Sequence, residues 1–220
     1  MLSKFLEGWR RIQKIGYSKR LKDIYLIVRL DGKDFHRLPS IYGFRQPFDK
    51  NFHSLMVKTA KSLFRKLEFK PLFSYTFSDE INLLFYKSPS DRKLGYIIRL
   101  LPSYTSSLLQ SYLSSLRSSE NSLVDFLIQV FKTRFSEDVL EYFSCRCSSC
   151  LNNFIKKYVS GFPYGQKGFN LRVFPKWEKY GTVIYRRIRK KERLLQKSIN
   201  LADENGRKWL SRYLKMWRKL

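Results

Sequence analysis

Residues 73–85 read FSYTFSDEINLLF. An apolar, β-prone run lies on each side of a short polar break, Ser78-Asp79-Glu80. Aromatic and β-branched residues suit strands and a Ser-Asp pair suits a turn, so the stretch predicts a β-hairpin. Two carboxylates sit at the tip of an otherwise uncharged hairpin. Adjacent strand residues point to opposite faces, so Asp79 and Glu80 are expected to do different jobs unless the turn twists them. Taken alone, such a pair is a solvated turn. It gains weight only if a second carboxylate is brought alongside.

Upstream, residues 24–30 (IYLIVRL) form a nearly continuous apolar run, the pattern of a buried central strand. It ends in Asp31-Gly32, where glycine lets the backbone approach a phosphate or metal closely. A plain strand-ending turn reads the same way. Residues 47–67 carry apolar side chains at helical spacing, with Pro47 in the first turn. Downstream, residues 93–116 have helical spacing interrupted by Pro102, residues 123–131 (LVDFLIQVF) read as a strand, and residues 137–158 are helical again. The order is β-α-β-β-α-β, an α+β, ferredoxin-like arrangement: an antiparallel sheet with helices on one face and the other face free.

The chain has 220 residues, with 44 Lys and Arg against 18 Asp and Glu, a formal net charge of +26. With 43% apolar and 16% aromatic residues it can bury a core, which excludes a disordered basic tail. The charge surplus points to a polyanionic partner, nucleic acid above all, with an anionic membrane surface competing. No apolar run approaches the roughly 20 residues that a spanning helix needs. Residues 1–20 read as a basic structural helix. Cys145, Cys147 and Cys150 form one odd-numbered cluster, which argues against a disulfide framework and for a reducing, cytoplasmic compartment. With no histidine nearby to complete a zinc site, small buried thiols on a helix are expected there. From Lys176 onward 15 Lys or Arg face 4 Asp or Glu, densest at Arg186-Arg187-Ile188-Arg189-Lys190-Lys191. Trp209, Tyr213 and Trp217 recur there at i, i+4 spacing, which suits RNA contact or docking onto the core.

In a ferredoxin-like sheet, Asp31 at the end of the first strand and Asp79 at the hairpin can lie side by side. Two carboxylates and a glycine carbonyl are an oxygen donor set suited to Mg²⁺. Two such ions about 4 Å apart can clamp an in-line phosphoryl displacement. In a basic protein this is the logic of a nucleic-acid polymerase palm. Residues 1–160 are then the palm-like catalytic unit with its N-terminal helix. Residues 161–220 are a basic C-terminal extension of loop, strand and helices, packed on the palm and contacting RNA.

The stretch Ile27-Val28-Arg29-Leu30-Asp31-Gly32-Lys33-Asp34-Phe35-His36 resembles the opening motif of the tRNA-histidine guanylyltransferase family, which includes guanylyltransferase-like 3′-to-5′ RNA polymerases. The resemblance continues through Phe44, Pro47, Asp49, Leu55-Met56, Tyr75 and Ser78-Asp79-Glu80. It is weaker at Ser106-Ser107 and at Glu141-Tyr142-Phe143-Ser144-Cys145-Arg146, and returns at residues 175–183. It implies a polymerase-like palm that adds a nucleotide to the 5′ end of tRNA. The 5′ monophosphate is first activated by ATP, and the 3′-hydroxyl of an incoming nucleoside triphosphate then attacks it.

The resemblance places two Mg²⁺ ions on Asp31, the Gly32 carbonyl and Asp79, with Glu80 also needed for activity. It assigns nucleotide binding to Arg29, Gly32, Lys33, Asp34, Phe35, His36, Arg45, Asp49 and Ser78. Arg92, Lys93 and Arg99 are candidates where Tyr96 replaces a family lysine. Expected RNA contacts are Arg146, Asn152, Asn153, Lys176, Lys179, Arg186, Arg187, Arg189 and Lys190. Gln46 stands where the family has lysine, and its His-Ile-Asn-Asn signature is reduced to Leu151-Asn152-Asn153. Those departures favour a template-dependent, tRNA 5′-end repair branch over dedicated histidine-tRNA maturation. The resemblance also implies tRNA and nucleoside triphosphates as partners, a homotetramer and no membrane association. A catalytically silent RNA-binding palm and a nucleotidyl cyclase are the other readings, the second disfavoured by the basic surplus.

Overall fold

The apolar run that opens the palm forms β1 (Tyr25–Lys33). The computed structural model describes residues 25–86, 91–116, 123–159, 170–187 and 193–218. The expected N-terminal helix, the loop at residues 161–168, Arg189 and Lys190 lie outside these described residues. After β1 the chain makes a 3-10 turn (Phe35–Arg37) and a short helix α1 (Leu38–Tyr42), then enters α2 (Lys50–Lys66). Asp49 starts α2: its carboxylate accepts from the amides of Asn51 and Phe52 at 2.7 and 2.9 Å. Two of the amides that a helix leaves without partners are thereby satisfied.

β2 (Phe73–Phe77) and β3 (Glu80–Tyr86) are the expected hairpin, with Phe77 opposite Glu80 across the two-residue turn Ser78-Asp79. Ser78 adopts φ 52°. A positive φ at the first turn position lets the turn follow the right-handed twist of the flanking strands. α3 (Asp91–Ser114) runs through Pro102 without stopping. A proline inside a helix costs about 3 kcal/mol. Burial of Leu101, Leu108, Leu109 and Leu113 along the same helix offsets that cost. β4 (Asp125–Thr133) and α4 (Ser136–Val159) follow. Beyond them are a 3-10 turn (Leu171–Val173), α5 (Lys176–Tyr180), β5 (Thr182–Arg186), β6 (Leu194–Lys197) and α6 (Glu204–Arg218).

The six strands form one antiparallel sheet in the order β4-β1-β3-β2-β5-β6. The first four, with α2 and α3 as crossovers, are the expected βαββαβ palm. β5 extends it beside β2. The outer strand β6 is a short addition that the sequence pattern did not signal.

One expectation is corrected. The second face of the sheet is not free. Leu26, Val28 and Leu30 join the core under α2 and α3. Tyr25 and Ile27 point the other way, into a second core with Val139, Phe143 and Phe154 of α4 and Leu210, Tyr213 and Leu214 of α6. A strand that is apolar at every position is one buried on both faces, and residues 24–30 already had that pattern. The aromatic residues of the C-terminal helix dock onto the core. Trp209 stacks on Tyr213 at 5.5 Å between ring centroids, and the Tyr213 hydroxyl donates to the Leu72 carbonyl at 2.7 Å.

Candidate active site at the hairpin turn

Pairing of β1 with β3 places Asp31 opposite Glu80, and the Gly32 amide donates to the Asp79 carbonyl at 3.1 Å. Asp31 and Asp79 therefore lie on neighbouring backbones at the same end of the sheet, as the sequence predicted. No side chain fits at Gly32: a Cβ there would sit 2.5 Å from the Phe35 ring. Burial pushes the Asp31 carboxyl above its ordinary value, with Arg29 pulling it down and Glu80 pushing it up. Burial also raises Asp79, and the charge of Asp31 adds to the shift. Two carboxylates that resist ionisation side by side make a place where a cation is favoured.

Among the described residues no group of three or more His, Cys, Asp or Glu side chains converges on one point. The candidate donor set is Asp31, Asp79 and the Gly32 carbonyl. These are hard oxygen donors, few enough to leave room for water and substrate phosphates, which is the coordination habit of Mg²⁺. The residues fit that ion.

Glu80 takes a different role from its neighbour. It is 5% exposed. Its carboxylate accepts from Arg29 Nε at 2.8 Å, Asn82 Nδ2 at 2.6 Å and Arg146 Nε at 2.9 Å, and Arg146 makes a further short contact to Oε2. The Tyr142 hydroxyl donates to Asn82 Oδ1 at 2.6 Å. Arg29 also reaches Asp31 Oδ2 at 2.6 Å and Gln129 Oε1 at 3.2 Å. Glu80 is thus the centre of a buried ionic knot that ties the turn to β1 and α4. Two sequence assignments are redirected by it. Arg146, expected on RNA, spends its guanidinium on Glu80. Arg29, expected on nucleotide, is committed to Asp31 and Glu80. A buried carboxylate needs such partners, because an unpaired one is too costly.

Asp79 and Ser78 open onto a cleft of about 520 Å³. Its walls include Phe44, Phe48, Phe52 and Trp177, with Arg45 and Lys157 as cations. Of the positions predicted for nucleotide, Phe35, His36, Arg45, Asp49 and Ser78 line it, together with the expected metal ligand Asp79. Phe35 is also a core residue, edge-on to Phe126 at 5.1 Å. Asp49 is occupied in capping α2 and in accepting from the Arg45 amide at 3.0 Å. His53 stacks on Trp177 at 4.5 Å and its Nε2 lies 3.0 Å from Thr182 Oγ1. Burial pushes this imidazole down to about 4, so it is neutral at pH 7.

Other expected residues fall elsewhere. Lys33, the last residue of β1, and Asp34 just after it are exposed. Arg92, Lys93 and Arg99 belong to the first part of α3. Arg99 Nε donates to the Gly95 carbonyl of its own helix at 3.1 Å. Lys179 is 6% exposed and its Nζ donates to the Leu171 carbonyl at 2.5 Å, so it is a structural lysine and not a surface contact. Asn152, Asn153, Lys176 and Arg187 are exposed, and Arg186 lies over the Trp217 ring at 5.4 Å. Cys147 and Cys150 are buried free thiols of α4, and Cys145 is half-buried.

Sequence reasoning missed Lys157, His53 and Phe48 as cleft residues. Lys157 had a weak signal: it lies four residues after Asn153, on the same helix face. Phe48 read only as part of the amphipathic pattern over residues 47–67, and nothing in the local pattern singled out His53.

The family model for tRNAHis guanylyltransferase (Thg1) matches residues 10–160. Among curated relatives, the tRNA(His) guanylyltransferase of Kluyveromyces lactis is 36% identical over 64 residues, 29% of this chain and 27% of that protein. The Debaryomyces hansenii enzyme of the same name is 30% identical over 145 residues, 60% of this chain and 52% of that protein. The chain thus matches between about a quarter and a half of the length of these relatives. Among solved structures, a bacterial tRNA(His) guanylyltransferase (Thg1)-like protein in complex with GTP superposes with a TM-score of 0.71 at 19% identity, covering 97% of this chain and 99% of that one. The Saccharomyces cerevisiae tRNA(His) guanylyltransferase does so at 0.64 and 22%, covering 90% and 99%. At those identities the likeness concerns the fold, and it extends past residue 160 into β5, β6 and α6. With the model covering more than half of its length, the chain belongs to the tRNAHis guanylyltransferase family.

Proposed function

We propose that this protein is a template-dependent nucleotidyltransferase that adds nucleotides to the 5′ end of tRNA in the 3′-to-5′ direction. The observation that carries the reading is the pair Asp31 and Asp79. Both carboxyls are held above their ordinary values on adjacent backbones, and Asp79 opens onto an aromatic cleft with cations at its rim. Family membership supports a tRNA substrate, and two solved proteins of the same fold are complexes with GTP and with ATP.

In this reading Asp31, Asp79 and the Gly32 carbonyl hold Mg²⁺, which when bound supplies neutralisation of phosphate charge. The Glu80 knot fixes the turn so that Asp79 keeps its position. Arg45 and Lys157 receive phosphate oxygens. The aromatic walls offer π-faces to a base. Neutral His53 keeps the Trp177 ring in place and adds no positive charge at pH 7. The reaction is a phosphoryl transfer. The 3′-hydroxyl of the incoming nucleoside triphosphate attacks the 5′ phosphorus of the RNA, forming a phosphodiester. AMP leaves from an adenylated end, or pyrophosphate from a triphosphate end. Assembly as a homotetramer and a cytoplasmic setting belong to the same reading.

Template dependence rests on what the cleft lacks. Gln46 lines it where the family has lysine, and the family's signature histidine is absent from Leu151-Asn152-Asn153. A π-face accepts any base, so choice of base falls to pairing with the opposite strand of the acceptor stem. Hydrogen-bonded selection discriminates strongly because a mispaired base leaves polar groups unmatched. The test is a set of 5′-truncated tRNAs that differ only in the opposing base, each offered the four NTPs separately. The reading expects the complementary nucleotide each time. Addition of G whatever the opposing base would instead mark a dedicated histidine-tRNA guanylyltransferase.

A further inference from the structure

At the end of the sheet away from the hairpin lies a second cleft of about 550 Å³, lined by Phe64, Arg65, Lys70, Arg186, Arg193 and Leu194. Among the described residues, four of the six that line it are cations and none is a carboxylate. They reach the cavity from separate elements: the end of α2 and the loop after it, the end of β5, and the approach to β6. Lys70 Nζ donates to the Arg65 carbonyl at 2.6 Å, a cation at the end of α2 that complements the helix dipole. Arg186 and Arg193 line the same space from the other side. Cations brought to one cavity from separate elements offer an anion several donors at once, with Arg186 also lying over the Trp217 ring.

We propose that this pocket is a phosphate-binding site that holds a backbone phosphate of the RNA substrate. The chemistry is that of phosphate and nothing more. Among the described residues that line the pocket, the one aromatic ring, Phe64, is 3% exposed and presents no face for a base. Contacts of this kind position a polynucleotide without reading its sequence. Distance separates the site from the nucleotide cleft. The Arg186 amide donates to the Leu72 carbonyl, and Leu72 is seven residues from Asp79 along the hairpin, about 23 Å at strand rise. One nucleoside triphosphate does not span that, whereas a polynucleotide with its end at Asp79 does. The inference rests on the reading of the hairpin cleft as the place of the RNA 5′ end.

The experiment uses the full chain as wild type, R65A/R193A and R65K/R193K. Both arginines are exposed, so neither pair of changes disturbs the core. Binding of a 5′-truncated tRNA is measured across a salt series, and the stabilising effect of pyrophosphate is measured by melting. R65A/R193A is expected to bind RNA several-fold more weakly, with a log–log salt slope shallower by about 0.7–0.9 for each phosphate no longer neutralised. R65K/R193K should keep most of the slope, and ATP affinity should be the same in all three. An unchanged slope in R65A/R193A overturns the proposal. So does a pyrophosphate-induced stabilisation that the alanine variant loses while its RNA slope stays intact, since the pocket would then serve a free polyphosphate. If the slope falls as expected but the wild type extends no 5′ end, the pocket stands and the 5′-end reading fails.

Discussion

Replacing Arg146 by methionine should cost stability first and RNA binding hardly at all. Arg146 supplies Glu80 with two donors, Nε to Oε1 at 2.9 Å and a terminal guanidinium nitrogen to Oε2. A hydrogen bond to a charged group contributes about 1.5–3 kcal/mol. Stripping one partner from a buried ion pair costs about 3–5 kcal/mol when nothing compensates. Here Arg29 and Asn82 still hold Glu80 at 2.8 and 2.6 Å, and the Arg146 side chain is 21% exposed. The lower part of the range therefore applies, about 2–3 kcal/mol. A chain of this size loses about 2–4 °C per kcal/mol, so R146M should melt about 4–12 °C below wild type. E80Q/R146M should recover part of the loss, because removing both charges leaves neither stranded. The assay is thermal melting of wild type, E80Q, R146M and the double variant at neutral pH, with tRNA binding in parallel. A wild-type melting temperature for R146M combined with a clear drop in RNA affinity would refute the reasoning and return Arg146 to the RNA surface.

Three further outcomes follow from the same geometry. The folded protein holds Asp79 above its ordinary 3.8. Its ionised form therefore destabilises the fold, a cost complete above the raised value and absent below 3.8. D79N should melt higher than wild type at pH 7 in EDTA, the gap closing as pH falls, and Mg²⁺ should stabilise wild type only; a variant that melts lower at pH 7 counts against the assignment. His53 is depressed from 6.5 to about 4, so its contribution is present above pH 6.5 and lost as pH falls from 6.5 toward 4; urea unfolding of wild type should show that loss, and an equal loss in H53Q would contradict it. Gly181 has φ 67° and a Cβ there would sit 2.5 Å from the Thr76 carbonyl, so G181A should lose about 1–3 kcal/mol in urea unfolding, and full stability would contradict the strain.

Much of this site could be read from residue order alone. The approach of Asp31 to Asp79 needed only the strand order, because a βαββαβ chain must set the first strand beside the third. The second core was legible in principle from the unbroken apolar run of β1, but residues 137–158 read only as one more helix after the last strand, with no local mark of which face it covers. Glu80 and Arg146 lie 66 residues apart. No local pattern pairs them, and an arginine in a basic chain reads first as an RNA contact. Lys179 misleads in the same way, since its charge suits the surface while its Nζ caps a carbonyl inside.

The central claim is that the paired carboxylates at the hairpin drive nucleotide addition to an RNA 5′ end. The most direct measurement is single-turnover extension of a 3′-labelled, 5′-truncated tRNA with ATP, the complementary NTP and Mg²⁺, read as RNA length, for wild type, D31A and D79A. The account predicts one-nucleotide growth at the 5′ end in wild type and none in either variant, while all three bind the tRNA with nearly equal affinity. Extension by D79A at the wild-type rate, or RNA binding without extension by the wild type, would contradict it.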